Sequence, residues 1–238
     1  MRPVSEPTPP RPRLLVSVRD ADEAALACAS GADLVDAKDP ANGALGALPV
    51  EVVRAIVARV GGRVTTSAVA GEPDGDEALA ACVSAMAGTG VDYVKVAVSA
   101  EQSDAVLATA AEAARDRLVG VLFAEDELAL DMVPRLAASG FRGAMIDTRA
   151  KTGRRLSDLL APDRLAAFVA ACRSHGLISG LAGSLRVEDV PALAAHEPGY
   201  LGFRGGLCQD GDRRNALDPV RVSAAVQALR ALGRRDAA

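Results

Sequence analysis

From Arg13 onward, short apolar runs alternate with longer stretches whose apolar residues recur at helical spacing, and the alternation repeats eight times. LLVSV reads as a first strand, and Asp20 caps a helix running to Ala29 and stopped by Gly31. Strand 33–37, the loop DPANGALG and helix 49–60 follow, with Pro49 placed at the helix's first turn. Further strands are expected at 63–68, 91–96, 118–123, 142–147, 177–182 and 200–203. The helices behind them are expected at 76–87, 101–115, 127–139, 162–175, 187–195 and 219–232, with Pro134 kinking its own. Eight strand–helix units is the count of a closed parallel sheet, so the chain reads as α/β, a single (β/α)8 TIM barrel. A doubly wound open sheet seldom repeats eight times without a break. The barrel domain spans 13–238, and residues 1–12, which hold five of the 13 prolines, read as a disordered leader.

Composition narrows the function classes. Aromatic residues make up only 3% of the chain, so the core must be aliphatic. A net charge of −4 argues against general nucleic-acid binding, which needs a basic surface. No apolar run approaches the ~18–20 residues of a membrane span, and the N-terminus lacks the apolar segment of a signal peptide, so cytoplasm is the default. Aliphatic outer helices would allow a homo-oligomer. Cys28, Cys82 and Cys172 lie on alanine-rich helical patterns, where an inert buried thiol is expected, and Cys208 lies in a glycine-rich loop. None forms a CxxC pair, and with only His175 and His196 to help, neither a metal site nor a cofactor is expected. His175 precedes Gly176 at a helix end, where capping is the expected role.

The chemistry concentrates in lysine. Of 27 positive residues only Lys38, Lys95 and Lys151 are lysines. Arginine cannot stand in where an amine must lose its proton. Each lysine follows or ends an apolar run, in DLVDAK, VDYVK and GAMIDTRAK, which places them at the ends of strands 2, 4 and 6. In a barrel, those ends and the loops after them build the active site. Asp36 stands two residues before Lys38 and Asp147 four before Lys151. Neighbouring ammoniums and burial lower a lysine's pKa and leave a nucleophilic amine, which condenses with a carbonyl to a Schiff base. A second lysine or an aspartate then moves protons. The competing reading is that each lysine only pairs with an aspartate or binds phosphate as a point charge. Phosphate has its own candidates, since LAGSL and FRGGLC follow strands 7 and 8, where barrels bind it with backbone N–H groups. They offer Gly183, Ser184, Gly205 and Gly206. GALG, residues 43–46, is either a lid over Lys38 or a turn.

The segments LLVSVRDADEAALACASGADLVDAKDPANGALGALP, DYVKVAV, MIDTRAKTGRRLSD, LAGSLRVEDVPAL and FRGGLC resemble the (5-formylfuran-3-yl)methyl phosphate synthases, from about Leu14 to the last helix. The resemblance implies a metal-independent lyase of methanofuran-type coenzyme biosynthesis. It would condense two molecules of glyceraldehyde 3-phosphate with loss of phosphate and water. Lys38 would form the Schiff base with Asp36 beside it, Lys95 would be the proton acceptor, and Asp147 and Lys151 would be supporting acid/base or substrate-binding groups. On this reading one triose isomerises to the ketone, and its enamine attacks the second aldehyde. The arginine and alanine bias suggests a GC-rich bacterial genome, and a related coenzyme serves formaldehyde oxidation in methylotrophic bacteria. The alternatives are a class I aldolase on another phosphorylated sugar and a non-catalytic phosphometabolite-binding barrel.

Overall fold

The computed structural model describes residues 11–73, 75–126, 130–150 and 153–235, with side chains to 232; leader residues 1–10 and Lys151 lie outside the described residues. Eight parallel strands form a closed barrel: β1 (Arg13–Val18), β2 (Leu34–Ala37), β3 (Thr65–Val69), β4 (Tyr93–Ala97), β5 (Leu118–Phe123), β6 (Gly143–Asp147), β7 (Ile178–Leu181) and β8 (Tyr200–Phe203). β8 pairs with β1 through Leu14↔Leu201 and Val16↔Phe203.

Strand alternation divides the apolar residues into two clusters. Leu14, Val16 and Val18 face the helices with Val35, Val94 and Val96. Leu15, Leu34, Val119, Val121, Met145 and Tyr200 fill the barrel instead. The inward parity also carries Ser17, Asp36, Ser67, Lys95 and Asp147, all buried. Polar residues inside an otherwise apolar barrel mark its functional end.

The helices obey their caps. In α1 (Ala21–Ser30) the Asp20 carboxylate accepts the Glu23 N–H at 2.8 Å, and Gly31 ends the helix at φ 95°. Pro49 is the N-cap of α2 (Val50–Val60) and not part of its first turn. After α3 (Asp76–Ala87) and α4 (Asp104–Ala114), α5 spans Met132–Ala138, so Pro134 falls in its first turn. An N–H missing there has no helical acceptor to lose, so the proline costs the helix no hydrogen bond. A short helix that hydropathy did not foretell, α6 (Leu156–Leu159), precedes α7 (Pro162–Ser174), whose C-cap is His175. A 3-10 turn leads into α8 (Val190–Ala194), and α9 (Pro219–Arg235) closes the chain. Arg11, which the sequence reading assigned to the leader, grips Asp33 through two hydrogen bonds of 2.9 and 3.1 Å. No helix among the described residues is long and apolar enough to cross a membrane.

Candidate active site

Ser17, Asp36 and Ser67 stand opposite one another across β1, β2 and β3. Because they share the inward face, both hydroxyls donate to the Asp36 carboxylate, Ser17 at 3.1 Å and Ser67 at 2.6 Å. Lys95 Nζ completes the group, 2.8 Å from Asp36 Oδ1. Lys95 is the third of five residues in β4, deeper than the strand end where the sequence put it. Hydropathy starts the strand too early. Val91 is buried but lies outside it, and Asp92 is spent on Thr66, accepting the backbone N–H at 2.7 Å and the hydroxyl at 2.9 Å.

Burial pushes the Lys95 pKa below its ordinary 10.5, the Asp36 carboxylate pulls it back up, and the Lys38 ammonium pushes it down again. The Tyr200 ring lies beneath, its centroid 5.9 Å from Lys95 Nζ. Gly180 makes room for that ring, since a Cβ there would come within 2.3 Å of the Tyr200 Cζ.

Lys38 follows the last residue of β2, and its N–H extends the ladder to the Val18 carbonyl at 3.0 Å. Its side chain therefore keeps the inward parity of Asp36. Its Nζ lies 3.6 Å from Asp147 Oδ2, a looser pair than that of Lys95. Asp147 closes β6, and its Oδ1 accepts the Thr148 N–H at 2.7 Å. Asp36, which the sequence reading set beside Lys38, pairs with Lys95, and Lys38 pairs with Asp147. Two residues along a strand keep a common face but separate side chains by about 6.6 Å. The group across the barrel is nearer than the group two residues away. Lys151, expected as a supporting acid/base or substrate-binding group, lies outside the described residues.

These groups line a cavity of about 850 Å³ that opens at the C-terminal ends of the strands. Gly183, Ser184, Gly205 and Gly206 form part of its wall, as the sequence suggested. Gly183 has φ 117°, and a Cβ there would come within 2.7 Å of Thr148 Cγ2; a Cβ on Gly206 would come within 2.2 Å of the Leu185 carbonyl oxygen. The two loops pass too closely for side chains. None of the four backbone N–H groups donates to a described acceptor, so they remain available to an anion. GALG is both turn and wall. Asp39 N–H donates to the Gly46 carbonyl at 2.8 Å, and Leu45 is buried in the barrel mouth.

Sequence reasoning passed over the arginines of this mouth. Arg204, inside FRGGLC, is buried and paired with Glu23 of α1; it also donates to the carbonyls of Ser17 at 3.1 Å, Arg213 at 2.8 Å and Asn215 at 3.0 Å. Inward parity from Tyr200 and Gly202 would have flagged it. Cys208 is buried with its pKa pushed up to about 11 by burial, and Cys172 up to about 12, as inert thiols should be.

Asp36→Asn is expected to destabilise the fold by about 3–5 kcal/mol, because it strands the Lys95 charge without its partner. Without Asp36 the folded Lys95 pKa drops further below the unfolded value. The unfolded chain then binds the extra proton, so stability rises with pH toward 10.5 and the deficit is largest at lower pH. Urea unfolding at neutral and alkaline pH checks both signs; equal losses at the two would contradict the pairing.

The sequence model of the family described as 4-HFC-P synthase matches residues 14–226. A Methylorubrum extorquens protein provisionally named (5-formylfuran-3-yl)methyl phosphate synthase is 62% identical over 96% of both chains. The chain belongs to the (5-formylfuran-3-yl)methyl phosphate synthase family. The synthase of Methanopyrus kandleri is 37% identical over 92% of this chain and 99% of its own. That of Methanocaldococcus jannaschii is 33% identical over 85% and 92%. Solved structures show how widely the synthase's barrel is shared. Phosphoribosyl anthranilate isomerase from Thermus thermophilus superposes with a TM-score of 0.66 at 17% identity, over 92% of this chain and 99% of its own. KGPDC from Streptococcus mutans gives 0.68 at 14% identity, over 93% and 99%.

Proposed function

We propose that this synthase family member makes (5-formylfuran-3-yl)methyl phosphate from two triose phosphates, through an imine on Lys38, for a methanofuran-type coenzyme. The observation that carries the reading is the pair of lysines inside one cavity, held by different aspartates: one loosely held at the rim, one desolvated in the barrel. Lys38 has the weaker ion pair and the freer amine, which suits a nucleophile. Lys95, with a lowered pKa, suits a proton acceptor.

The carbon skeleton of the product dictates the bond. The ring carbon bearing the phosphomethyl group is the middle carbon of one triose, and it is joined to the terminal carbon of the other. The carbon held as the imine is therefore the electrophile, and the enamine attack expected from sequence would give an unbranched hexose chain instead. Dihydroxyacetone phosphate, formed by isomerisation of glyceraldehyde 3-phosphate, condenses with the Lys38 amine and releases one water. Loss of the C2 proton of glyceraldehyde 3-phosphate expels the C3 phosphate with the C–O electron pair, leaving 2-hydroxyacrolein. Its terminal enol carbon attacks the iminium carbon. Loss of a proton from the new CH2 expels the Lys38 amine, the free hydroxymethyl oxygen closes on the ketone, and a second water departs as the furan forms. Two trioses less one phosphate and two waters balance the product.

The amides of Gly183, Ser184, Gly205 and Gly206 suit the phosphate that the product keeps. Lys95 accepts the C2 proton, with Asp36 to hold the ammonium that results; Asp147 steadies Lys38 as its charge changes. The test is incubation with glyceraldehyde 3-phosphate followed by ultraviolet absorption and phosphorus NMR. An absorbing furan and one inorganic phosphate per product are expected. A hexose bisphosphate without ring absorption would make the enzyme an aldolase.

A further inference from the structure

The mouth carries five arginines besides the catalytic groups: Arg155, Arg186, Arg204, Arg213 and Arg221. Three are neutralised, Arg155 by Asp189 at 2.9 Å, Arg204 by Glu23 and Arg221 by Asp218 at 3.6 Å. Arg186 forms no ion pair with a described residue, but it is exposed, and water serves an exposed guanidinium well. Arg213 differs. It is half-buried, forms no ion pair with any described carboxylate, and uses its Nη2 to reach the Gly43 carbonyl at 2.9 Å. A partly desolvated cation without a counter-ion is costly unless a ligand supplies one.

Its base is fixed. Arg204 donates to the Arg213 carbonyl at 2.8 Å, and Arg204 is itself locked by Glu23 and the Ser17 carbonyl. From there Arg213 rises beside Gly205, 3.6 Å between its Cβ and the position a Gly205 Cβ would take. Its Nη2 then reaches the Gly43 carbonyl, in the loop that begins at Lys38. Burial lowers its pKa, and the Asp147 and Asp39 carboxylates act on it from a distance without pairing. The guanidinium thus lines the cavity where it meets the loop that follows Lys38, with donors to spare.

The reaction needs a second anion site. Once dihydroxyacetone phosphate is bound as an imine, its phosphate fills the glycine cradle, and the other triose must bring its own phosphate elsewhere. That phosphate leaves with a bonding pair, so a fixed cation at its oxygen favours departure. Arginine's planar fork matches phosphate oxygens two at a time.

We propose that Arg213, braced by Arg204 and aimed by the Gly43 carbonyl, binds the departing phosphate of the second triose, in a subsite separate from the glycine cradle. The inference rests on the synthase reading above. On substrate binding Arg213 takes the phosphate of glyceraldehyde 3-phosphate; when the C2 proton leaves, the C3–O bond breaks and the phosphate carries off the electron pair against the guanidinium.

The experiment first fills the cradle. Wild type and Arg213→Gln are treated with dihydroxyacetone phosphate and borohydride, and the adduct proteins are titrated with inorganic phosphate by calorimetry. Both are expected to form the Lys38 adduct to the same extent. The wild-type adduct then binds one phosphate, and the Arg213→Gln adduct binds it at least about tenfold more weakly, a loss of about 1.4 kcal/mol. Arg213→Lys should recover part of the affinity. Equal phosphate binding by the two adducts, or none by the wild-type adduct, overturns the subsite. Loss of the adduct itself in Arg213→Gln would show a merely structural role. A wild type that forms no adduct at all overturns the synthase reading, and this proposal with it.

Discussion

Lys38→Arg yields a protein that folds as the parent does and makes no furan. The substitution keeps a positive charge facing Asp147, so the ion pair that Lys38 makes at 3.6 Å survives and the barrel loses little. It removes only the ability to shed a proton, since a guanidinium stays charged at every pH the protein tolerates. Without a neutral amine there is no imine and no electrophilic carbon. Turnover is expected to fall beyond the ~10²–10⁴-fold that a single proton-transfer group contributes. Product absorption, read beside a thermal melt, separates lost chemistry from lost folding. A variant that keeps a tenth of the activity with an unchanged melt would leave the covalent role without support.

Lys95→Met gives the second large effect, and it splits the reaction. Methionine roughly preserves the buried volume, and Asp36 retains the hydroxyls of Ser17 and Ser67 as donors. The expected loss is ~10²–10⁴-fold in furan formation, while Lys38 still traps dihydroxyacetone phosphate. The wild-type rate carries the matching signature. The neutral amine forms as pH rises through a pKa held below 10.5 by burial and by Lys38, so activity climbs along a limb with its midpoint under that value. Lys95→Met should lack the limb. If the variant also loses the Lys38 adduct, Lys95 governs imine formation and the division of labour proposed here fails.

Hydropathy revealed the barrel because most of its eight strands are compact apolar runs, and the scarcity of lysine drew attention to Lys38 and Lys95, which meet in one cavity. Pairing was a different matter. Asp36 reads as the neighbour of Lys38 along the chain, yet Lys95 takes it, because closure of the barrel brings inward residues of different strands closer than successive inward residues of one strand. Ser17 and Ser67 were legible only to someone counting strand parity in register with Asp36. Pro134 misled because a proline signals a kink only when the helix's true start is known. The Arg204–Glu23 pair joins residues 181 positions apart and had no local signal at all.

The most direct test of the account is borohydride reduction of the enzyme with glyceraldehyde 3-phosphate, followed by peptide mass mapping. A reduced triose phosphate adduct is expected on the peptide that contains Lys38, and none there in Lys38→Arg. An adduct on Lys95 instead, or substrate bound with no adduct anywhere, would contradict it.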